Sequence, residues 1–363
     1  MRSAEPAAVS PTGQRGLRTG WTTGTCASAA AKAAVLGLVT GVVPAVIDVA
    51  LPDGRRVDFA VEPGGAPTRA VVVKDAGDDP DCTDGARITA EVAWGAASEA
   101  SPELRAGPGV GTITKPGLGL AVGQPAVNPV PRRMISIATA EVTDQPLVVT
   151  LSVPGGADMA ARTTNDRLGI VGGISILGTT GVVRPFSTAA YRASVVQQVD
   201  VAAAQGETMM VLATGSRSEQ AALHLLPRLD PVCVVEVGDF TGIALRRAAA
   251  AGIRRAVLVA MAGKITKLAA GVMMTHFHRS KVDNDLMERV ARETSAPPPV
   301  IDAATATATA RHFFEACRAA AHAAPLEALC REARAACEAH VGRQLSVEVW
   351  MVDFDGAEVV ARG

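Results

Sequence analysis

The stretch TMMVLATGSRSEQAALHLLPRLDPVCVVEVGDFTG, residues 208–242, determines the fold class expected for the second half of the chain. It holds two short apolar runs, each closing near a glycine, with a helical pattern at 217–228 between them. Apolar runs without polar alternation are typical of strands that are buried on both faces of a parallel sheet. The stretch therefore predicts a strand–helix–strand unit.

The same pattern continues on both sides of this stretch. Two further apolar runs, LGIVGGISILG (168–178) and RAVLVAMAG (255–263), are also expected to be strands. We therefore expect an α/β domain at 161–363, Rossmann-like, with a mostly parallel sheet. Its other expected elements are helices at 188–204, 241–251, 264–271, 283–294, 303–322 and 325–340 and a last strand at 345–354.

The first half of the chain has a different pattern. Residues 45–62 predict two strands joined at Pro-Asp-Gly, a hairpin signal, and 70–95 predict two more strands around an acidic loop. A helix is expected at 134–143 and a strand at 146–156. This mixture predicts an N-terminal α+β domain at 17–160.

That domain opens with GLRTGWTTGTCASAAAKAAVLG, residues 16–37. Alanines favour a helix, and Thr22, Thr23 or Thr25 can cap its start. The free N–H groups and partial positive charge of a helix start attract anions, so we expect a carboxylate or phosphate-like oxygen there. The alternative is a capped helix whose small residues merely allow close packing.

Residues 107–133 are rich in glycine and proline. Such a stretch can be a linker, but it also carries apolar residues, and prolines reduce the entropy lost on ordering. We expect an ordered binding loop whose cations are Lys115, Arg132 and Arg133.

Composition excludes several classes of function. Lys and Arg number 35 against 36 Asp and Glu, and only 3% of residues are aromatic, so no nucleic-acid partner is expected. Six cysteines without a Cys-x-x-Cys pair predict buried reduced thiols, with no protein metal site. Residues 1–16 are expected to be a flexible tail, and the apolar stretch 33–47, broken by Pro44, predicts no membrane span. We expect a cytoplasmic protein.

Several stretches go beyond generic patterns. In this order and spacing, they resemble the CbiD family, the cobalt-precorrin-5B C1-methyltransferases of cobalamin biosynthesis. The resemblance covers roughly residues 17 to 276, and the chain beyond about 280 carries little of it. The stretches that carry it are LRTGWTTGTCASAAAKAA (17–34), GPGVGTITKPGL (107–118), AVNPVPRRMI (126–135), NDRLGIVGGISILGTTGVVRP (165–185) and AGKITKLAAGVMMTH (262–276).

The resemblance implies methyl transfer from S-adenosyl-L-methionine to C1 of cobalt-precorrin-5B, giving cobalt-precorrin-6A. Cobalt would arrive inside the substrate, a tetrapyrrole with many carboxylates. The sequence holds no G-x-G-x-x-G fingerprint, so the methyl donor is inferred from the resemblance alone. For the anionic substrate we expect a binding set of helix starts, cations and small residues: Thr22, Thr23, Thr25, Lys115, Asn128, Arg132 and Arg133.

The methyl donor is expected at the strand ends of the second domain, where acidic groups can hold ribose hydroxyls. The alternative is that the glycines there only close tight turns. His276 is the candidate general base, although a histidine at this position can also cap or pack a helix end. The expected donor-binding residues are Gly172, Gly173, Gly178, Thr179, Thr180, Gly215, Glu236 and Asp239.

Two rival functions remain open from the sequence. A non-catalytic corrinoid carrier would bind the tetrapyrrole but not the methyl donor. A phosphoryl-transfer enzyme would fit the Gly/Thr-rich turns, but the G-x-x-x-x-G-K-[ST] motif is missing. The oligomeric state is also open, with a homo-oligomer and transient contact with other corrin-pathway enzymes both compatible with the sequence.

Overall fold

The computed structural model describes residues 16–96, 102–275, 283–306 and 309–363. The chain divides into two compact units, Met1–Thr188 and Ala189–Gly363. The expected boundary at 160/161 lies earlier than this division. Residues 161–188 belong to the first unit because their short strands pair with strands of that unit.

The first unit combines helices with strands, most of the latter short. Its helices are α1 (Thr23–Thr40), α2 (Pro129–Ala140) and α3 (Gly156–Ala160). Its strands are β1 (Gly20–Trp21), β2 (Val46–Ala50), β3 (Arg56–Ala60), β4 (Glu62–Pro63), β5 (Arg69–Val73), β6 (Arg87–Trp94), β7 (Glu103–Ala106), β8 (Gly109–Val110), β9 (Thr112–Ile113), β10 (Leu147–Ser152), β11 (Ile170–Val171), β12 (Gly173–Ile174) and β13 (Val182–Val183).

The main sheet of the first unit has the strand order β4-β5-β6-β10-β7. Its neighbours are antiparallel except for β10 and β7, which are parallel. The predicted hairpin forms as β2 and β3, and the two strands predicted around the acidic loop form as β5 and β6. The helix and the strand predicted before residue 160 are present as α2 and β10.

Helix α1 forms the centre of this unit and packs against β5, β6 and α2. Its alanines are fully buried, and such small side chains let the helix lie close to the sheet. Gly41, in the left-handed conformation, ends the helix. By length and composition α1 could cross a membrane, but 78% of it is buried inside the protein, as is usual for a core helix.

The run LGIVGGISILG does not form the single buried strand predicted from it. It forms β11 and β12, which pair with β9 and β8 of the first unit. The backbone turns between them at Gly172, whose φ is +93°. A Cβ on Gly173 would lie 2.1 Å from the backbone of Gly109, so this close strand contact requires glycine. The glycines therefore divide the run.

The second unit alternates strands with helices. Its strands are β14 (Met209–Ala213), β15 (Val234–Glu236), β16 (Arg255–Ala260), β17 (Ser346–Val352) and β18 (Val359–Arg362). Its helices are α4 (Thr188–Ala204), α5 (Ser216–Leu225), α6 (Thr241–Ala250), α7 (Ala262–Ala269), α8 (Asn284–Glu293), α9 (Pro298–Ala306), α10 (Ala310–Ala319) and α11 (Ala324–His340), with a 3-10 turn at Pro231–Cys233.

The sheet of the second unit has the order β15-β14-β16-β17-β18. The first four strands are parallel, and β18 is an antiparallel edge strand that the sequence did not predict. Residues 210–213 and 256–260 are fully buried, as their lack of polar alternation indicated. The single helix expected at 303–322 is replaced by α9 and α10. The mixed α/β class predicted from the sequence is confirmed.

Candidate functional site

The threonines at the start of α1 form hydrogen bonds with other groups of the same chain. Thr22 caps the helix through a 3.2 Å bond from the N–H of Thr25. Thr23 Oγ1 accepts the N–H of Leu177 at 2.9 Å, and Thr25 Oγ1 donates to the carbonyl of Gly181 at 2.7 Å. All three threonines are buried. The anion site expected here is not open in this structure, and the alternative of a capped, closely packed helix describes what forms.

The glycine turns expected at the donor site of the second domain lie in the first unit instead. Gly178 packs on Thr22, since a Cβ there would lie 2.4 Å from Thr22 Oγ1. Gly172, Thr179 and Thr180 are exposed, whereas Gly173 is buried. This is a correction of the predicted location: the segment 172–180 covers the start of α1 and does not follow a strand of the parallel sheet.

The Gly/Pro-rich segment is ordered, as predicted, and is not a linker. Backbone N–H groups of Gly111 and Thr114 donate to the carbonyls of Ile174 and Gly169. A further bond runs from the N–H of Ala126 back to the carbonyl of Gly111. Ligand binding by this loop stays a prediction.

The two arginines at the start of α2 differ in their surroundings. Arg132 donates from Nε to the carbonyl of Val127 at 2.9 Å and from Nη2 to the carbonyl of Pro125 at 3.2 Å. Partial burial lowers the pKa of Arg132 from its ordinary value, and within the described ranges it forms no ion pair. Arg133 is exposed. Arg132 therefore holds the loop, whereas Arg133 faces solvent.

Asn128 and Lys115 lie on the same ordered loop. Asn128 precedes α2, and its side chain makes no capping hydrogen bond, while its backbone N–H donates to Ile176. The stem of Lys115 lies against Gly169, where a Cβ would be 2.4 Å from Lys115 Cγ. The structure thus places Lys115, Asn128, Arg132 and Arg133 on one loop and the helix that follows it.

In the second unit, Gly215, Glu236 and Asp239 lie at the carboxyl ends of two adjacent parallel strands. Gly215 follows β14 and precedes α5, Glu236 is the last residue of β15, and Asp239 comes three residues later. In the sheet, β15 lies on one side of β14, and β16, the next strand along the chain, lies on the other side of β14. In open parallel sheets, ligands bind where the strand order reverses in this way.

Lys264, in the first turn of α7, ties these strand ends together. Its Nζ donates to the carbonyl of Thr214 at 2.6 Å and to that of Gly238 at 2.9 Å, and lies 3.1 Å from Asp239 Oδ1. The carboxylate of Asp239 also accepts a 3.2 Å bond from Thr275 Oγ1. Asp239 is therefore engaged with protein groups, while Gly215 faces open space, where a Cβ would meet no described atom within 4 Å.

The sequence reasoning missed two residues of this region, Lys264 and Tyr191. Lys264 could have been found, because AGKITK follows a buried strand directly, as a ligand-binding turn does. Tyr191 gave no signal, since it lies on α4, before the whole of β14, and only the fold brings it to Glu236. His276, the predicted general base, lies outside the described residues.

The described part of the chain holds no cluster of side chains that could bind a metal ion. All six cysteines are free, and five are buried. Burial raises the pKa of the Cys26 thiol to about 12, so the helix start does not activate it.

Two family models match the chain. The CbiD model matches residues 10–185, and the model of the CbiD C-terminal domain matches residues 274–363. The chain belongs to the CbiD family. The match to the C-terminal domain corrects the expectation that the chain beyond about 280 carries little of the CbiD resemblance.

Relatives of the CbiD family match over nearly the whole chain. A protein of Salinispora arenicola named cobalt-precorrin-5B C(1)-methyltransferase is 56% identical over 95% of this chain and 92% of its own length. A protein of Rubrobacter xylanophilus with the same name is 52% identical over 98% of this chain and 93% of its own. The crystal structure of a cobalamin biosynthesis protein (cbiD) from Archaeoglobus fulgidus is 28% identical, covers 77% of this chain and 85% of that one, and has a TM-score of 0.40.

Proposed function

We propose that this protein transfers a methyl group from S-adenosyl-L-methionine to C1 of cobalt-precorrin-5B, producing cobalt-precorrin-6A in cobalamin biosynthesis. One observation carries the proposal: relatives named for this reaction are more than half identical to the chain over more than nine-tenths of both lengths. The cobalt belongs to the substrate in this proposal, and the expected cytoplasmic location is part of it.

The first unit is the proposed substrate-binding part. A precorrin presents acetate and propionate groups around a flat apolar ring, so it needs fixed cations on a surface that allows close approach. Lys115 supplies a cation on the ordered loop and Arg133 supplies one at the start of α2. Arg132 holds the loop that precedes the helix through two backbone carbonyls. Asn128 adds a side chain that the helix cap does not use.

The second unit is the proposed donor-binding part, with the methyl donor at the carboxyl ends of the parallel strands, as in Rossmann-like sheets. Gly215 leaves room beside the backbone for a ligand, as described above. Glu236 follows Gly215 by about twenty residues, the separation at which an acidic residue takes ribose hydroxyls in dinucleotide-binding sheets. Asp239 and Lys264 hold the adjoining turns in place.

The chemistry is an in-line displacement. The electron pair of C1 forms the new carbon–carbon bond while the methyl–sulfur bond breaks, and its electrons stay on sulfur as S-adenosylhomocysteine leaves. The protein's contribution is alignment of donor and acceptor, an effect worth several kcal/mol of the barrier. Where a proton leaves the ring, His276 remains the proposed base.

The test is incubation of the purified protein with cobalt-precorrin-5B and methyl-labelled S-adenosyl-L-methionine. We expect a product heavier by one labelled methyl group, together with S-adenosylhomocysteine. A corrinoid carrier would instead bind the tetrapyrrole but give no labelled product and no calorimetric signal with S-adenosylhomocysteine. That pair of results would replace the methyltransferase proposal with the carrier.

A further inference from the structure

Tyr191 covers the end of strand β15. Its hydroxyl donates to the backbone carbonyl of Glu236 over 3.3 Å. Its ring stacks on Phe240, with 5.7 Å between the ring centroids and 30° between the planes. Phe240 is buried, whereas Tyr191 is 40% exposed. The two stacked rings therefore form an aromatic platform. The ring of Tyr191 is partly exposed to solvent, and its hydroxyl holds it in place by the hydrogen bond to Glu236.

The turn after β15 is shaped to receive this ring. Gly238 has φ of +54°, a left-handed conformation that glycine adopts without strain. A Cβ on Gly238 would lie 2.8 Å from the Tyr191 hydroxyl and 2.9 to 3.0 Å from two ring carbons. The absence of a side chain thus lets the ring of Tyr191 seat directly on the backbone that follows Glu236.

The surroundings of the ring are acidic. Burial, and then the carboxylates of Glu236, Glu219 and Asp239, raise the pKa of Tyr191, so its hydroxyl stays protonated and remains a donor to the Glu236 carbonyl. Lys264, described above, is the cation bonded to this turn. These carboxylates disfavour another anion beside the ring, whereas a neutral, flat and polarisable group can stack on it.

We propose that Tyr191 is the purine-binding residue of this protein, its partly exposed ring stacking on the adenine of a nucleoside whose ribose hydroxyls bind Glu236. The inference rests on the proposed function only in taking that nucleoside to be the adenosine part of the methyl donor. The supporting geometry is local: the platform, the ribose-binding position and the open Gly215 all lie at the carboxyl ends of β14 and β15.

The experiment uses the full chain and two probes, S-adenosylhomocysteine and adenosine alone, in isothermal titration. Stacking of a base on an aromatic ring contributes roughly 1–3 kcal/mol. Tyr191→Ala is therefore expected to weaken both probes by about 10-fold or more, while Tyr191→Phe, which keeps the ring, retains most of the affinity. Trp94→Ala, which removes an exposed aromatic side chain from β6 of the first unit, is the matched control and should leave both affinities unchanged.

A second readout does not depend on any variant folding. The chain contains a single tyrosine, so labelling with 3-fluorotyrosine gives one fluorine resonance. Saturating adenosine should shift that resonance. An unmoved resonance, with equal affinities for wild type and Tyr191→Ala, overturns the assignment of Tyr191 and leaves the proposed methyl transfer standing. Wild-type protein that binds neither probe overturns donor binding itself, and the purine assignment with it.

Discussion

Arg132 and Arg133 are neighbours with equal charge and different surroundings. Arg132 is half-buried and donates to two carbonyls of the loop that precedes α2. Arg133 is exposed and makes no such bond within the described part of the chain. The sequence alone ranked the two alike as substrate-binding cations, because charge and spacing carry no information on which guanidinium turns toward the backbone.

We therefore expect Arg132→Ala and Arg133→Ala to differ in their effects on stability and on substrate binding. Hydrogen bonds to a charged group contribute roughly 1.5–3 kcal/mol, so Arg132→Ala should lower the midpoint of thermal unfolding by several degrees and weaken cobalt-precorrin-5B binding. Arg133→Ala should weaken that binding about 10-fold without moving the midpoint. Differential scanning fluorimetry and fluorescence titration measure the two quantities, and equal loss of stability in both variants would contradict this division.

At the scale of elements, one ionic network joins α1, the hairpin β2–β3 and the residue that ends α2. Lys32, buried on α1, donates to Glu141 Oε2 at 2.6 Å and to Asp48 Oδ1 at 3.1 Å. Arg56 binds Glu141 through both Nη atoms and pairs with Asp48 as well. Hydrogen bonds from Arg56, and then from Lys32, lower the pKa of Asp48 and of Glu141 to about 2.

This network predicts how stability depends on pH. Both carboxyl groups have a lower pKa in the folded protein than in the unfolded chain, so their stabilisation is complete above about pH 4.5 and is lost as the pH falls toward 2. Urea unfolding at a series of pH values should show this decline. Glu141→Gln should flatten it and lower stability at neutral pH.

The matched control for this decline in stability at low pH is Glu103→Gln. Glu103 pairs with Arg105 on the edge strand β7, and both side chains of that pair are exposed. Surface pairs of this kind contribute little to stability. If the loss of stability at low pH is the same in Glu141→Gln as in the wild type, or changes equally in Glu103→Gln, the network is not its cause.

For the whole molecule, the proposal assigns substrate binding and donor binding to different units. Among the described residues, Lys264 binds groups of the second unit, namely Thr214, Gly238 and Asp239. Arg133 belongs to the first unit. The two functions should therefore respond to different substitutions, even though catalysis needs both.

Lys264→Met tests this assignment against Arg133→Ala. Loss of the lysine leaves two partly buried carbonyls and a carboxylate without their shared donor, so binding of S-adenosylhomocysteine should weaken by about 10-fold or more, with cobalt-precorrin-5B binding retained. Arg133→Ala should give the opposite pattern. Arg255→Met is the control and should change neither affinity. Arg255 lies at the amino end of β16, the strand that precedes α7, and pairs with Glu348. Loss of both affinities in either test variant would contradict the separation.

Local pattern predicted much of the fold. The hairpin, the helix α2 and the buried strands of the second unit follow from turn residues, apolar runs and periodicity, all of which act over a few residues. The run LGIVGGISILG was misassigned because its apolar content resembles a buried strand, whereas Gly172 and Gly173 allow two short strands with different partners.

The sequence by itself determined the family, the mixed α/β class and the ordered state of the Gly/Pro loop, because these depend on motifs and on local conformational preference. Only the tertiary structure decided which groups meet. It closed the threonine-rich start of α1 with residues 175–181 and moved the turns at 172–180 to the first unit. It also placed Tyr191 over Glu236. Contacts between residues far apart in the chain depend on packing and register, which no single stretch of sequence specifies.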